Sequence, residues 1–134
     1  MVVRSFCLLL CVLSFPACAR NTIDEHASVE NAFAQQQNDV QIKSSGKVEK
    51  ILSDDNHGSR HQRFILRINA TITILIAHNI DIAKRIPDLK PGDRVEFYGE
   101  YVWNKKGGVV HWTHRDPAGR HLAGWLKHNG ITYQ

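Results

Sequence analysis

Two adjacent stretches of this chain alternate apolar and polar residues with a period of two, and this feature constrains the fold more than any other. The large apolar side chains that fall on one face of these stretches are Phe64, Leu66, Ile68, Ile72, Ile74 and Ile76. Successive side chains of a β-strand point to opposite faces of the sheet, so the pattern predicts two strands with one buried face each. A tight turn at Asn69-Ala70 joins them, which predicts an antiparallel hairpin.

Three further stretches have strand character and surround this hairpin. They cover residues 40–52, with an interruption at Ser44-Ser45-Gly46, residues 94–103 and residues 108–114. A glycine inside a strand pattern indicates a bend or a bulge. The order of these strands predicts a mainly β domain over residues 40–134, with the architecture of a five-stranded OB-like Greek-key barrel.

Two short helices are expected outside the strands. The polar segment 20–39 has apolar residues at helical spacing, which predicts an N-terminal helix from about residue 27 to 36, with Phe33 packing against the body of the protein. In residues 79–86, Ile82, Ala83 and Ile86 have the same spacing, and Pro87 follows them. That pattern predicts a short connector helix.

The first 19 residues have the three parts of a secretory signal. Arg4 precedes an apolar run that is too short to span a bilayer, and Ala17-Cys18-Ala19 offers a cleavage site before Arg20. The sequence therefore predicts export to the periplasm or the medium, and a mature chain without a transmembrane segment. A lipid anchor at Cys18 is the less favoured alternative, because Phe15 occupies a position where such signals usually carry leucine.

Cysteine placement and charge limit the chemistry of the remaining chain. All three cysteines, Cys7, Cys11 and Cys18, lie within the predicted signal. The mature domain therefore lacks disulfides and thiolate zinc sites. The formal net charge is +4, and both signs are interspersed along the chain. This balance permits an anionic ligand, but it lacks the clustered basic stripe of a DNA-binding protein.

Several short blocks of sequence, in order, resemble an exported bacterial family known as domain of unknown function 3465. The blocks are I-L-S-D-D-N-H-G-S-R-H-Q-R-F at 51–64, H-N-I-D-I-A at 78–83, F-Y-G-E-Y at 97–101, G-G-V-V-H-W-T-H-R-D-P at 107–117 and G-W-L-K-H-N-G at 124–130. The resemblance covers roughly residues 40–133. It implies secretion and a barrel-like fold, and it brings no activity or catalytic residues.

Seven of the eight histidines lie from His57 onward, and a metal site is one interpretation of this density. His114 and Asp116 are two residues apart, so a regular strand would place them on one face with Trp112. A further ligand from His61, His78 or His121 would complete a zinc or manganese site with an open position. His111 could join His114 only if a bulge or turn broke the pleat.

Other interpretations use the same residues without a tightly bound metal. In one, His61, Arg63 and Arg67 share a strand face that binds an anionic polymer or a glycan, with Trp112 or Tyr98 as a stacking surface. In another, Arg63, Arg67 and Arg115 hold a phosphate while His61 or His114 acts as general acid or base. The least demanding interpretation is a network of buried histidines that satisfies polar groups where the barrel closes.

The favoured hypothesis is an exported ligand-binding or interaction module. Its ligand-binding residues would be His61, Arg63, Arg67 and Trp112. The alternative is a metal-dependent hydrolase with a histidine and aspartate site at the barrel rim. Its catalytic residues would be His114 and Asp116, and its metal ligands His78, His111, His114 and Asp116.

Overall fold

The structure is a computed structural model that describes residues 28–134. One short helix and seven strands follow one another in this part of the chain: α1 (Val29–Ala34), β1 (Asn38–Asp55), β2 (His61–Arg67), β3 (Thr73–Asn79), β4 (Arg94–Val102), β5 (Val109–His111), β6 (Trp125–His128) and β7 (Ile131–Tyr133). The mainly β architecture is confirmed. The predicted signal over residues 1–19 and the alternative anchor at Cys18 lie outside the described residues.

Five of the strands form a closed ring in the order β1-β2-β3-β5-β4, because β1 pairs with both β2 and β4. Within the ring only β3 and β5 run parallel, and the other neighbours are antiparallel. Strands β6 and β7 form a hairpin that extends the sheet beyond β4. The predicted hairpin is present as β2 and β3, which pair from His61 with Asn79 to Arg67 with Thr73.

Strand β1 is long enough to take part in two pairings. Its first half pairs with β4 and its second half with β2, and Lys47 belongs to both. The change of partner occurs beside Gly46, where a Cβ atom would approach the backbone carbonyl oxygen of Arg67 to 2.7 Å. The glycine that suggested a bent first strand therefore lies where the neighbouring strand comes too close for a side chain.

The core fills the inside of the ring and follows the period-two pattern of the strands. It includes every residue of the hairpin pattern except Ile68 and Ile72, which pack against it half-buried. Helix α1 adds Val29 and Ala32, both fully buried. Its aromatic residue, Phe33, stacks on Trp103 with ring centroids 6.5 Å apart. The fully buried large side chains are Tyr101, Phe64, Phe97, Ile42, Leu66, Ile74, Ile76, Ile86, Leu126, His78, Val29 and Val48.

The predicted connector helix over residues 79–86 is wrong. Ala83 donates one helix-like hydrogen bond to Asn79, and the chain then continues without regular structure. Side chains of the ring occupy the backbone groups that a helix would need. Gln62 pairs with both the N–H and the carbonyl of Ile86, at 2.9 Å each, and His78 binds the carbonyl of Lys84 at 3.1 Å. These bonds tie the segment to the ring without a helix.

The last predicted strand is shorter than its pattern suggests. Strand β5 ends at His111 because Trp112 has a φ of 56°, in the left-handed region that few non-glycine residues adopt. Residues 112–124 then form a loop, and its return is fixed by a hydrogen bond of 2.9 Å from Gly124 N–H to the His114 carbonyl. Among residues 28–134, no helix is long and apolar enough to cross a membrane.

Candidate functional site

Two adjoining pockets lie on the outside of the ring where β2, β3 and β5 meet, and we refer to them together as the histidine groove. His61 and His111 line both pockets. The outer pocket has a volume of about 370 Å³ and is lined by Asp55, His61, Arg63, Ala77, Val102, Val109 and His111. The inner pocket has a volume of about 260 Å³ and is lined by Ser59, His61, Asn79, Ile82, His111, Trp112 and His114.

Strand periodicity explains why these side chains face outward. Phe64, Ile76 and Val110 point into the core, so their neighbours Arg63, Ala77 and His111 point to the outside. Ala77, Val102 and Val109 form an apolar floor between the polar groups. The outer pocket is therefore an apolar strip with cationic or titratable groups along its rim.

Backbone carbonyls orient two of the groove's histidines in the same way. His61 Nδ1 lies 2.8 Å from the Ser59 carbonyl oxygen, and His114 Nδ1 lies 2.7 Å from the Arg115 carbonyl oxygen. A carbonyl only accepts hydrogen bonds, so each Nδ1 carries a proton, and in the neutral ring Nε2 has the lone pair. Both rings therefore have an Nε2 available for proton transfer or for accepting a hydrogen bond.

His114 combines this arrangement with deep burial. It is 4% exposed, and within residues 28–134 its Nε2 has no hydrogen-bond partner. Trp112 packs beside it, with ring centroids 5.4 Å apart. This Nε2 is not among the described polar atoms that are both buried and unpartnered, so its lone pair remains accessible to water or a ligand in the pocket.

A carboxylate lies behind the groove and links two more histidines. Glu100 Oε2 is 2.6 Å from His121 Nε2, and Glu100 Oε1 is 3.3 Å from His111 Nε2. The contact with His111 lacks hydrogen-bond geometry, which leaves the buried Nε2 of His111 without a partner among the described residues. Burial lowers the pKa of His111, although the charge of Glu100 opposes that effect.

The surroundings of His121 shift its pKa in the opposite direction from that of His111. Its Nδ1 donates to the Leu122 carbonyl at 2.8 Å while its Nε2 binds Glu100, so both ring nitrogens act as donors in the imidazolium form. Burial lowers the pKa of His121, but the hydrogen bonds to Glu100 and to Leu122 outweigh it and raise the pKa above the ordinary value. The ring stacks on Trp112 at 4.0 Å with an interplanar angle of 7°.

The family to which this chain belongs is shown by its sequence. A family described as Protein of unknown function (DUF3465) matches residues 6–134. The chain is a member of the DUF3465 family. This confirms the resemblance seen in the sequence blocks. No curated protein matches the chain.

Asp116 does not belong to the histidine groove of this DUF3465 protein. Its two carboxylate oxygens accept hydrogen bonds from the backbone N–H groups of Ala118, Arg120 and His121, at 2.9, 2.8 and 3.0 Å. The bonds from Ala118 and Arg120 lower the pKa of Asp116. The strand geometry that would have paired Asp116 with His114 is lost at Trp112. Asp116 therefore organises the loop, as an aspartate before proline often does in a turn.

His78, another predicted metal ligand, is fully buried and structural. Its Nε2 donates to the Lys84 carbonyl at 3.1 Å, so its Nδ1 accepts from the Thr113 hydroxyl at 2.8 Å. Both ring nitrogens have partners in the protein, and neither is free to bind a metal. Burial lowers the pKa of His78 to about 4, so the ring is neutral at physiological pH.

The two arginines of the predicted binding face are separated by the structure. Arg63 lines the outer pocket, with its Nε donating to the Ser53 carbonyl at 2.9 Å. Arg67 lies at the far end of β2, where it forms an ion pair with Glu49 at 2.5 Å. Trp112 lines the inner pocket, but His121 covers one of its faces.

The predicted site residues are thus only partly brought together. The structure gathers His61, His111, His114 and Trp112, adds Arg63, and leaves out Arg67, His78 and Asp116. In the described part of the chain, no three His, Cys, Asp or Glu side chains lie close enough to hold a metal ion. The sequence pattern did not indicate Asn79 or the apolar floor of the groove. It also missed Glu100, although its pairing with His111 across β4 and β5 follows from the strand register.

Proposed function

We propose that this DUF3465 protein is an exported ligand-binding module that recognises an anionic group of a polymer in the histidine groove. The proposal includes an OB-like barrel, which the ring order β1-β2-β3-β5-β4 supports. Export rests on the secretory signal over residues 1–19. N-terminal sequencing of the protein recovered from the periplasm or medium tests that part, and a start at Arg20 is expected.

The observation that carries the proposal is the composition of the outer pocket. An apolar floor lies beside Arg63, His61 and His111, so an elongated ligand could bury apolar surface while an anionic group meets the guanidinium. Arg63 uses Nε for the Ser53 carbonyl. Its terminal nitrogens have no protein partner in residues 28–134, and they are suited to bidentate contact with phosphate, sulfate or carboxylate.

The charge balance in the outer pocket favours an anion over a neutral glycan. Its single carboxylate, Asp55, is already engaged by His57, through the backbone N–H at 3.0 Å and through Nδ1 at 3.1 Å. A neutral sugar usually needs an exposed aromatic face. The face of Trp112 that stacks on His121 is not available for that purpose.

Substitution of Arg63 tests the assignment of the groove. We expect Arg63→Gln to weaken binding of fluorescently labelled polyphosphate or dextran sulfate about tenfold, as expected for loss of one charge-assisted contact. The matched control is Arg67→Gln, which removes the same charge from the same strand outside the groove. Binding is measured by fluorescence anisotropy at fixed ionic strength, with uncharged dextran as the negative probe.

The comparison between the two variants decides the result. Equal losses in Arg63→Gln and Arg67→Gln would show attraction to net charge without a site. Undiminished binding by Arg63→Gln would remove the groove from the proposal. The metal-dependent hydrolase is less well supported, because Asp116 and His78 use their polar atoms within the fold.

A further inference from the structure

The inner pocket contains two imidazoles that are oriented in the same way, by a hydrogen bond from Nδ1 to a backbone carbonyl. His61 and His114 each donate Nδ1–H to a nearby backbone carbonyl, at 2.8 and 2.7 Å. The carbonyls fix the tautomer, which leaves the Nε2 of each neutral ring unprotonated. Both side chains line the same pocket of about 260 Å³. A pair of fixed imidazoles beside one cavity can remove a proton on one side and donate one on the other.

Two further observations indicate that His114 is positioned to act on a bound ligand. The residue is only 4% exposed, yet its Nε2 has no protein partner among residues 28–134 and remains accessible to solvent. In addition, Trp112, which packs on its ring, has a φ of 56°. A large aromatic residue in the left-handed region costs about 1–3 kcal/mol and is most often retained at functional sites. Neither feature improves packing of the core.

The surrounding groups restrict the bond that such a pair could cleave. Glycosidic cleavage usually requires two carboxylates, and no carboxylate is among the residues that line this pocket of the described chain. Acyl transfer through serine requires a base bonded to the nucleophile. Ser59 has no histidine on its hydroxyl in the described structure, and its carbonyl is used by His61. A phosphodiester fits better, because Arg63 in the adjoining pocket can bind its charge.

We propose that His61 and His114 form an acid–base pair that hydrolyses a phosphodiester bond of the anionic ligand, an inference that rests on the proposed function. The Nε2 atom of one imidazole removes a proton from water as the water oxygen attacks phosphorus. The P–O bond to the leaving group breaks, and the other imidazole, protonated, donates its Nε2 proton to the departing oxygen. The products are a phosphomonoester and an alcohol, and solvent restores the two protonation states.

Hydrolysis of two substrates distinguishes the histidine that acts as the acid from the one that acts as the base. In bis(p-nitrophenyl) phosphate the leaving group departs without protonation, whereas in the dinucleotide thymidylyl-thymidine it requires a proton. We expect substitution of the base to glutamine to reduce hydrolysis of both substrates about 10²-fold or more. Substitution of the acid should reduce only dinucleotide hydrolysis to that extent. His61→Gln and His114→Gln therefore assign the roles, and the control His128→Gln, whose ring bonds Asp93 at 3.0 Å outside the groove, should retain both activities.

Several results would overturn the assignment. They are absence of hydrolysis of both substrates by the purified protein, equal activity in all variants, or loss of activity in chelator. If hydrolysis is absent but binding still depends on Arg63, the proposed function stands and the acid–base pair does not.

Should a variant fail to fold, a second experiment uses the unsubstituted protein. Inorganic phosphate is titrated into it, and the ¹⁵N signals of the histidine rings are followed. Movement of the Nε2 signals of His61 and His114, with those of His128 unchanged, is expected. Unchanged signals would contradict the proposal.

Discussion

Two histidines of this fold show how the same side chain is held in opposite charge states. His78 is neutral because burial lowers its pKa by more than the hydrogen bond to the Lys84 carbonyl raises it. His121 is held as a donor at both nitrogens by Glu100 and the Leu122 carbonyl. The lowered pKa of His78 stabilises the fold at higher pH, whereas the raised pKa of His121 stabilises it at lower pH.

The pH dependence of stability should therefore carry a contribution from His78. Its folded-state pKa is about 4, below the value of about 6.5 expected for an unfolded chain. The unfolded state thus binds the proton more tightly, and stability is lost as the pH falls through this window. We expect a decrease of about 2 kcal/mol in the free energy of unfolding between pH 7.5 and pH 5. Urea denaturation at a series of pH values measures it.

A substitution isolates this contribution from those of other groups. His78→Gln has no titrating ring, so its unfolding free energy should be lower at pH 7.5 and should depend less on pH in this range. His57→Gln changes an exposed histidine and should follow the unsubstituted protein. An unchanged pH slope in His78→Gln would contradict the neutral state assigned to the ring.

Residue spacing predicted which histidines lie together better than it predicted their hydrogen-bond partners. The density of histidines near predicted strand ends indicated His61, His111 and His114, and the structure brings all three to one groove. The pairing of His114 with Asp116 assumed a regular strand through Trp112. The left-handed conformation at Trp112 was not foreseeable from a residue type that rarely adopts it.

At the level of elements, the loop over residues 112–124 depends on close backbone contacts. A Cβ atom at Gly124 would collide with the carbonyl oxygens of Trp112 and Tyr98. Gly119, in the same loop, has a φ of 66° and open space around its missing side chain. Gly124 is therefore needed because there is no room for a side chain, and Gly119 because its backbone is in the left-handed region.

Alanine substitutions separate these purposes. Gly124→Ala must move the loop away from β4 or distort both, and we expect it to lower the free energy of unfolding by about 3 kcal/mol or more. Gly119→Ala should cost only about 1 kcal/mol, the usual penalty of a left-handed conformation in a non-glycine residue. Thermal denaturation followed by circular dichroism measures both. Similar losses in the two variants would contradict the close approach at Gly124.

The connector and the last hairpin show where element prediction fails. The helical spacing in residues 79–86 does mark buried positions, since Ala83 and Ile86 are in the core. Gln62, distant in sequence, and His78, just before the segment, take the backbone groups and prevent the helix. The β6–β7 hairpin was missed, although Asn129-Gly130 is a strong turn signal and both residues have positive φ.

For the whole molecule, helix α1 closes one end of the core. Val29 and Ala32 are fully buried, and Phe33 stacks on Trp103. The Trp103 backbone N–H also binds the Gln37 carbonyl at 3.1 Å and the Asn38 side chain at 2.9 Å. The helix is too short to be stable alone, so its contribution comes from this packing.

A shortened chain tests that contribution. A protein that begins at Asn38 should retain the β-sheet signal in circular dichroism but lose about 3 kcal/mol of unfolding free energy relative to one that begins at Arg20. The melting temperature should fall by more than about 10 °C. Val29→Ala in the longer chain is the matched control and should cause a smaller loss. Equal melting temperatures of the two chains would show that α1 does not cover the core.

The architecture was largely predictable because strand alternation and turn residues are local signals. The closure of the ring was less predictable, since it depends on β1 pairing with both β2 and β4. The groove was predictable in part, because outward-facing residues follow from the period of two. The hydrogen bonds that set each histidine's tautomer come from carbonyls whose positions only the folded loops determine.

The double pairing of β1 also has a kinetic consequence. Asn38 pairs with Val102, so the first strand of the chain cannot be completed until most of the sequence is present. Contacts of such long sequence separation slow folding. Under the proposed export, β1 would therefore stay unpaired with β4 until β4 had followed it through the translocation channel.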